Sequence, residues 1–310
     1  MWGDPRDTAM AAAATITRSS DITLLDGAMG TELRARGASV PDYRSSIWSA
    51  MALLRDPDLV RQVHLDYIRA GADVIIANNY AVVPKLLARE SMMDRLEALT
   101  RTACRLAGKA RDEGGRSGVR VAGSLPPLDT TYRADLVGSE EELFETYLRI
   151  ARVLADEVDL AIAETLTTVR EAVAAARAAE RVGLPIWVSW NLQLDAPVLR
   201  GGETLASAAA AVADLPVEGL MVNCVPTSLV RPAIEQLRAA TDRPLGVYAN
   251  SCESAPNQEA LDACTVVRMS PDAYAAASES WVTAGATLIG GCCDTNPDYI
   301  AALARRWRAT

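Results

Sequence analysis

Eight times along this chain, a short aliphatic or β-branched run gives way to a longer stretch rich in Ala, Leu, Arg and Glu at helical spacing. No other property restricts its fold as strongly. The short runs are Ile22 to Leu25, Asp73 to Ala77, Val119 to Gly123, Leu160 to Ala163, Ile186 to Trp190, Gly219 to Val222, Leu245 to Ala249 and Thr287 to Ile289. The helical stretches are Pro57 to Ala70, Lys85 to Glu113 (long enough to contain a break), Glu140 to Ala155, Val169 to Val182, Thr204 to Ala213, Leu229 to Ala240, Pro271 to Ala284 and Pro297 to Arg308. Gly71, Gly183, Pro185, Pro244 and Gly285 interrupt the passages from helix to strand, as helix stops should. The pattern predicts an α/β fold, a (β/α)₈ barrel, over residues 21–310 as a single domain. Barrels of about 250 residues are common, so the length forces no further boundary. A doubly wound open sheet satisfies the same periodicity, because periodicity does not show whether a sheet closes.

In a barrel, the chemistry belongs where the chain leaves each strand. Those exits read Asp26-Gly27, Asn78-Asn79-Tyr80, Gly123-Ser124, Glu164-Thr165, Asn191, Asn223-Cys224, Asn250-Ser251-Cys252 and Gly290-Gly291-Cys292-Cys293. The opposite ends are mostly Gly, Pro and Arg, so the polarity is confined to one mouth.

Several chemistries lack their residues. The net charge of −9 argues against a nucleic-acid or anionic-membrane partner. No apolar run approaches the ~20 residues that span a bilayer. Residues 1–20 are expected to be a disordered leader; with Asp4 and Asp7 ahead of its Ala-rich run, it lacks the basic start of a signal peptide. The single histidine, His64, allows neither a Ser-His-Asp triad nor a multi-histidine metal site; mid-helix, it reads as structural, bonded to a neighbouring loop. Lys85 and Lys109, the only lysines, lie in one helical stretch and do not suit a Schiff base at the mouth. Gly27-Ala28-Met29-Gly30 is too short for a dinucleotide fingerprint. The six cysteines lack the dense spacing of a disulfide scaffold and fit reduced thiols in a cytoplasm.

Cysteine chemistry remains. Cys224 ends the sixth strand and Cys292-Cys293 the eighth, two strands apart around the mouth. Three thiolates suit zinc and leave one position open. Such an ion carries a net negative charge with its ligands, so it is a weak Lewis acid suited to deprotonating a fourth thiol while keeping its sulfur nucleophilic. That chemistry is alkyl transfer to a substrate thiol. Gly290 and Gly291 would let the backbone turn so that both sulfurs reach one ion. Two other readings of Cys292-Cys293 stay open here: buried small hydrophobes and a vicinal redox disulfide. Cys104 reads as core, and Cys252, at a strand exit, is an ambiguous thiol.

From Leu24 to Leu303 the chain resembles the zinc-dependent homocysteine S-methyltransferases, which include betaine-homocysteine and S-methylmethionine-homocysteine methyltransferases and the homocysteine module of cobalamin-dependent methionine synthase. The resemblance lies in Leu25-Asp-Gly-Ala-Met-Gly-Thr-Glu-Leu33, Ile47-Trp-Ser-Ala50, His64 to Tyr80, Ala122-Gly-Ser-Leu125, Ala163-Glu-Thr165, Val222-Asn-Cys224 and, most specifically, Ile289-Gly-Gly-Cys-Cys-Asp-Thr-Asn-Pro297. It implies zinc held by Cys224, Cys292 and Cys293, and homocysteine held at its amino and carboxylate ends by Asp26, the Gly27-Ala28 backbone and Glu164, with Asn223 also on the substrate side. Tyr80 matches a tyrosine close to the metal, which either occupies the fourth position or touches the donor. Trp48 matches a tryptophan able to stack on a cationic donor.

The implied reaction is in-line transfer of a methyl group from S-methylmethionine, S-adenosylmethionine or a betaine-like donor to the homocysteine thiolate, giving methionine. The segments 78–84 and 248–257 depart from the family pattern where the resemblance places the donor. Two further readings stand beside this one: transfer to a related thiol or from a corrinoid-protein partner, and a non-catalytic zinc- or thiol-binding barrel. The expected protein is cytoplasmic, and the lack of a long segment after the eighth helix suggests a monomer or weak homodimer.

Overall fold

The computed structural model describes residues 22–43, 45–252 and 268–308. The expected leader and part of the divergent 248–257 segment lie outside them. Eight parallel strands run β1 (Thr23–Leu24), β2 (Val74–Ile76), β3 (Arg120–Leu125), β4 (Leu160–Leu166), β5 (Ile186–Trp190), β6 (Val217–Asn223), β7 (Leu245–Ala249) and β8 (Ala286–Gly291), each bonded to its neighbours in sequence order, with β1 beside β8. A parallel bridge between Leu25 and Val74 closes the ring, so the barrel is preferred over the open sheet. This seam between two very short strands is reinforced from a side chain. Asp73 Oδ2 accepts from the Leu24 N–H at 2.9 Å, and its carboxylate pairs with Arg116 and Arg308.

The helices are α1 (Met29–Ala35), α2 (Ala52–Arg55), α3 (Pro57–Ala70), α4 (Pro84–Arg89), α5 (Leu96–Glu113), α6 (Glu140–Ala155), α7 (Val169–Arg181), α8 (Leu205–Ala211), α9 (Thr227–Ala240), α10 (Pro271–Thr283) and α11 (Pro297–Arg308). The stretch predicted from Lys85 to Glu113 is broken between α4 and α5, where Ser91 takes a positive φ of 55°. Local chemistry sets many boundaries. Pro begins α3, α4 and α10, where its missing N–H costs nothing. Ser139 and Thr168 form capping boxes with Glu142 and Glu171, satisfying donors that a helix start otherwise leaves open. Gly71 ends α3 at φ 117°, a conformation that favours glycine. None of the described helices is long and apolar enough to cross a membrane.

Two cores result. Leu25, Val74, Ala122, Leu160, Ile162, Trp187, Met221, Tyr248 and Leu288 fill the barrel, making it a packed plug rather than a pore. A larger shell packs helices against the outside of the strands. His64 belongs to this outer side, fully buried on α3, and neither ring nitrogen has a hydrogen-bond partner. The expected bond to a neighbouring loop is absent. Burial alone pushes its pKa down to about 3, so it remains a neutral space-filler.

Candidate metal and amino-acid site

The plug ends beneath the mouth at Tyr248, whose hydroxyl donates to Glu164 Oε2 at 3.2 Å. Above it, β6 and β8 deliver the thiols on either side of β7. Cys224 leaves β6 with a positive φ of 54°, an expensive conformation for a non-glycine residue. It is held there by its N–H donating to the Tyr248 carbonyl at 3.0 Å and its carbonyl accepting from Asn191 Nδ2 at 2.8 Å. Cys292 and Cys293 sit in a turn closed by Thr295, whose Oγ1 donates to the Cys292 carbonyl at 2.6 Å. The Cys293 N–H donates to Asn250 Oδ1 at 3.1 Å.

The preceding glycines serve close approach rather than a tight turn, and neither takes a positive φ. A Cβ on Gly291 would lie 2.3 Å from Thr295 Oγ1, and one on Gly290 2.6 Å from Leu25 Cβ. The three sulfurs gather within 4.8 Å of one another, with Cys224 and Cys293 at 3.4 Å. Soft donors at this spacing fit a thiophilic divalent ion. Hydrogen bonding from the neighbouring thiols holds Cys224 well below the ordinary thiol range, while the same sharing pushes Cys292 and Cys293 up. Cys252, the ambiguous thiol, is disulfide-bonded, contrary to the expectation of reduced cysteines throughout.

One cavity of about 100 Å³ is lined by Asp26, Gly27, Ala28, Trp48, Tyr80, Glu164, Cys224, Cys292 and Cys293. Every predicted site residue except Asn223 therefore meets on a single wall. Glu164 sits where the β4–β5 register shifts, between Ala163 and Leu166; such a bulge re-aims a side chain. Thr165 beside it has φ 59°. Asn223 holds that strained exit: its Oδ1 accepts from the Thr165 N–H and the Ser189 hydroxyl, both at 2.8 Å, and its Nδ2 donates to Thr165 Oγ1 at 2.7 Å. Its amide thus faces protein, where the sequence reading put it toward substrate. Likewise the Ala28 N–H donates to the Thr295 carbonyl at 3.0 Å. Asp26 does not cap α1, whose N-cap is Ala28; its Oδ2 accepts from the Ile76 N–H at 2.8 Å.

Burial raises both carboxylates, Asp26 well above its usual range and Glu164 to about 7. Two buried acids that repel one another are poised to receive a cation. Tyr80 bonds Thr131 through its hydroxyl at 2.8 Å and packs edge-on to Trp48, ring centroids 6.4 Å apart. Trp48 itself has φ 43° and presses on Gly30, where any Cβ would clash at 2.2 Å.

Sequence reasoning missed Tyr132, which also has a positive φ, 67°. Its hydroxyl lies 2.8 Å from Cys224 Sγ. It stands in the loop after β3, where no periodicity marks a residue as inward-facing. Thr295, by contrast, stood within the recognised Cys-Cys-Asp-Thr motif, and its tether to the Cys292 turn explains its place there.

Comparison with known proteins places the whole barrel among relatives. The family model for homocysteine S-methyltransferase matches residues 23–307. The homocysteine S-methyltransferase of Escherichia coli (strain K12) is 36% identical, over 92% of this chain and 95% of the relative. Homocysteine S-methyltransferase 4 of Zea mays is 34% identical over 99% and 96%, and a selenocysteine Se-methyltransferase of Brassica oleracea var. italica is 29% identical over 91% and 88%. The crystal structure of the metallated form of the Escherichia coli homocysteine methyltransferase MmuM superposes with a TM-score of 0.78 at 32% identity, covering 93% of this chain and 96% of that one. With its three thiols gathered at the mouth of a closed barrel, the chain belongs to the homocysteine S-methyltransferase family.

Proposed function

We propose that the protein transfers a methyl group from a cationic donor to the thiolate of homocysteine, giving methionine. The observation that carries this reading is the meeting of three thiols with two buried carboxylates on the wall of one small cavity. Zinc bound by Cys224, Cys292 and Cys293 would supply the deprotonation of the substrate thiol at neutral pH.

The chain's own groups do the rest. Glu164 and Asp26 receive the homocysteine ammonium, which neutralises a repulsive pair and returns both to the ionised form. Gly27, on the cavity wall beside Asp26, faces the carboxylate end; a Cβ there would meet Thr295 and Tyr67 at 2.9 Å, so only glycine lets this wall pack so closely. Asn223 and Tyr248 hold Glu164 in place, one through Thr165 and the other directly. Trp48 and Tyr80 present aromatic surface to the positive charge of the donor. Attack of a thiolate on a cationic donor neutralises charge, so a partly dry cavity favours it without a general base at that moment.

The test is to incubate zinc-loaded protein with homocysteine and, in turn, S-methylmethionine, S-adenosylmethionine and betaine. Methionine formation with at least one donor is expected. Zinc retention with no methylated thiol from any donor would favour a non-catalytic barrel.

A further inference from the structure

The inner cavity, at about 100 Å³, carries the thiols and both carboxylates on its wall. A second cavity of about 850 Å³ opens at the same mouth, among the loops that follow β3, β4 and β5. Tyr132 joins the two: it lines the second cavity, while its hydroxyl reaches Cys224 on the wall of the first.

On the same wall, the Arg200 guanidinium lies over the Tyr132 ring, 4.6 Å from its centroid. Its Nε donates to Asn191 Oδ1 at 2.6 Å. These contacts fix one face and one edge of the group, and among the described residues no carboxylate pairs with it. Apart from Asp195 and the Oε2 of Glu203, which has no hydrogen-bond partner, the other charged groups lining the cavity are engaged. Arg133 pairs with Asp135 at 2.7 Å, the Arg170 guanidinium donates to the Gly138 carbonyl at 2.9 Å, and Glu203 Oε1 accepts from the Val169 N–H at 3.1 Å. An oriented, half-buried guanidinium whose charge favours the nearby Cys224 thiolate but which has no carboxylate partner can receive one through parallel N–H···O bonds.

We propose that Arg200 is the receptor for the carboxylate of the methyl donor, placed so that the methyl-bearing end of an amino-acid donor reaches past Tyr132 toward Cys224. This rests on the methyl-transfer reading above. The Tyr132 side chain reaches from the Arg200 guanidinium at its ring to Cys224 Sγ at its hydroxyl, a distance that the few bonds between the carboxylate and sulfonium of such a donor can span. Asp195, on the same cavity wall, offers a carboxylate for the donor ammonium.

The experiment uses zinc-loaded wild type, R200Q and R200K, titrated calorimetrically with S-methylmethionine and with its decarboxylated counterpart, alongside methyl-transfer kinetics. R200Q is expected to weaken S-methylmethionine binding about 10- to 100-fold. Binding of the decarboxylated ligand and the KM for homocysteine should change less than about twofold. R200K, which keeps the charge but loses the fork, should fall between. Equal weakening of both ligands would assign Arg200 to positioning Tyr132 and Asn191 and overturn the proposal. So would unchanged binding, a raised homocysteine KM, or no saturable binding to wild type. If the Arg200-dependent difference persists while wild type forms no methionine, the carboxylate receptor stands and the methyl-transfer reading fails.

Discussion

On the side of the mouth built by β6, β7 and β8, buried amides and hydroxyls tie down the thiols. On the side built by the loops after β3, β4 and β5, exposed charges surround an open cavity more than eight times larger. The first side holds Cys224 in a left-handed conformation, fixed through Asn191 and Tyr248, and a Cys292-Cys293 turn fixed by Thr295 and Asn250. The second relies on ion pairs such as Arg133–Asp135, with both side chains about half exposed, which contribute little to rigidity. The contrast suggests a division of labour: the reacting sulfur needs a position fixed to a fraction of an ångström, whereas its partner need only be captured and steered.

Substitutions should therefore be most damaging on the tied side. Replacing Cys292 by Ala removes one of three donors and should lower zinc affinity by more than about 100-fold, the upper range for a change outside the ligand set. Metal analysis after dialysis against a chelator measures it, and full zinc retention would contradict the ligand assignment.

Next in size is E164Q, at the end of β4 but on the wall of the thiol cavity, which tests whether that cavity accepts a stability cost for binding. It should raise the homocysteine KM by about 10- to 100-fold, while stabilising the metal-free protein at alkaline pH. The sign follows from a folded pKa near 7 against an ordinary value of 4.5. Below pH 4.5 the carboxyl is protonated in both states and has no effect. Between 4.5 and 7 the unfolded chain ionises first and stability falls. Above 7 the deficit levels off at roughly 3 kcal/mol. Denaturant titrations of wild type and E164Q should thus converge at pH 4 and separate at pH 8. The same titration predicts that the wild-type homocysteine KM rises as pH falls below 7.

The smallest effect belongs to a residue outside both halves. H64L should change stability by less than about 1 kcal/mol at pH 7, because the imidazole makes no hydrogen bond and leucine fills similar space. Its folded pKa of about 3 lies below the ordinary 6.5, so wild type loses stability as pH falls through 6.5, by about 1 to 1.5 kcal/mol at pH 5.5. H64L should lack that loss in matched denaturant titrations.

The same contrast explains what the sequence disclosed. The tied side is written in contiguous motifs, because its residues are consecutive at strand exits and each neighbour is constrained by packing. The cysteines and the Asp26 and Glu164 walls were legible for that reason. The strand pattern gave all eight elements, though the polar end of β4 hid its extension through Glu164 to Leu166. Barrel closure was not legible, since the Leu25–Val74 bridge and the Asp73 tether join segments too short to show a period. The protein partners of Asn223 and the Ala28 N–H were not legible, because residue type does not reveal which neighbour engages a polar group. Tyr132 and Arg200 lie in loops, 68 positions apart in sequence, and only the folded chain stacks one on the other.

Zinc K-edge X-ray absorption of the loaded protein, before and after homocysteine is added, addresses the central claim most directly. The account predicts three sulfur neighbours from Cys224, Cys292 and Cys293, rising to four with homocysteine at about 2.3 Å. A sulfur count that stays at three when homocysteine is bound would contradict it.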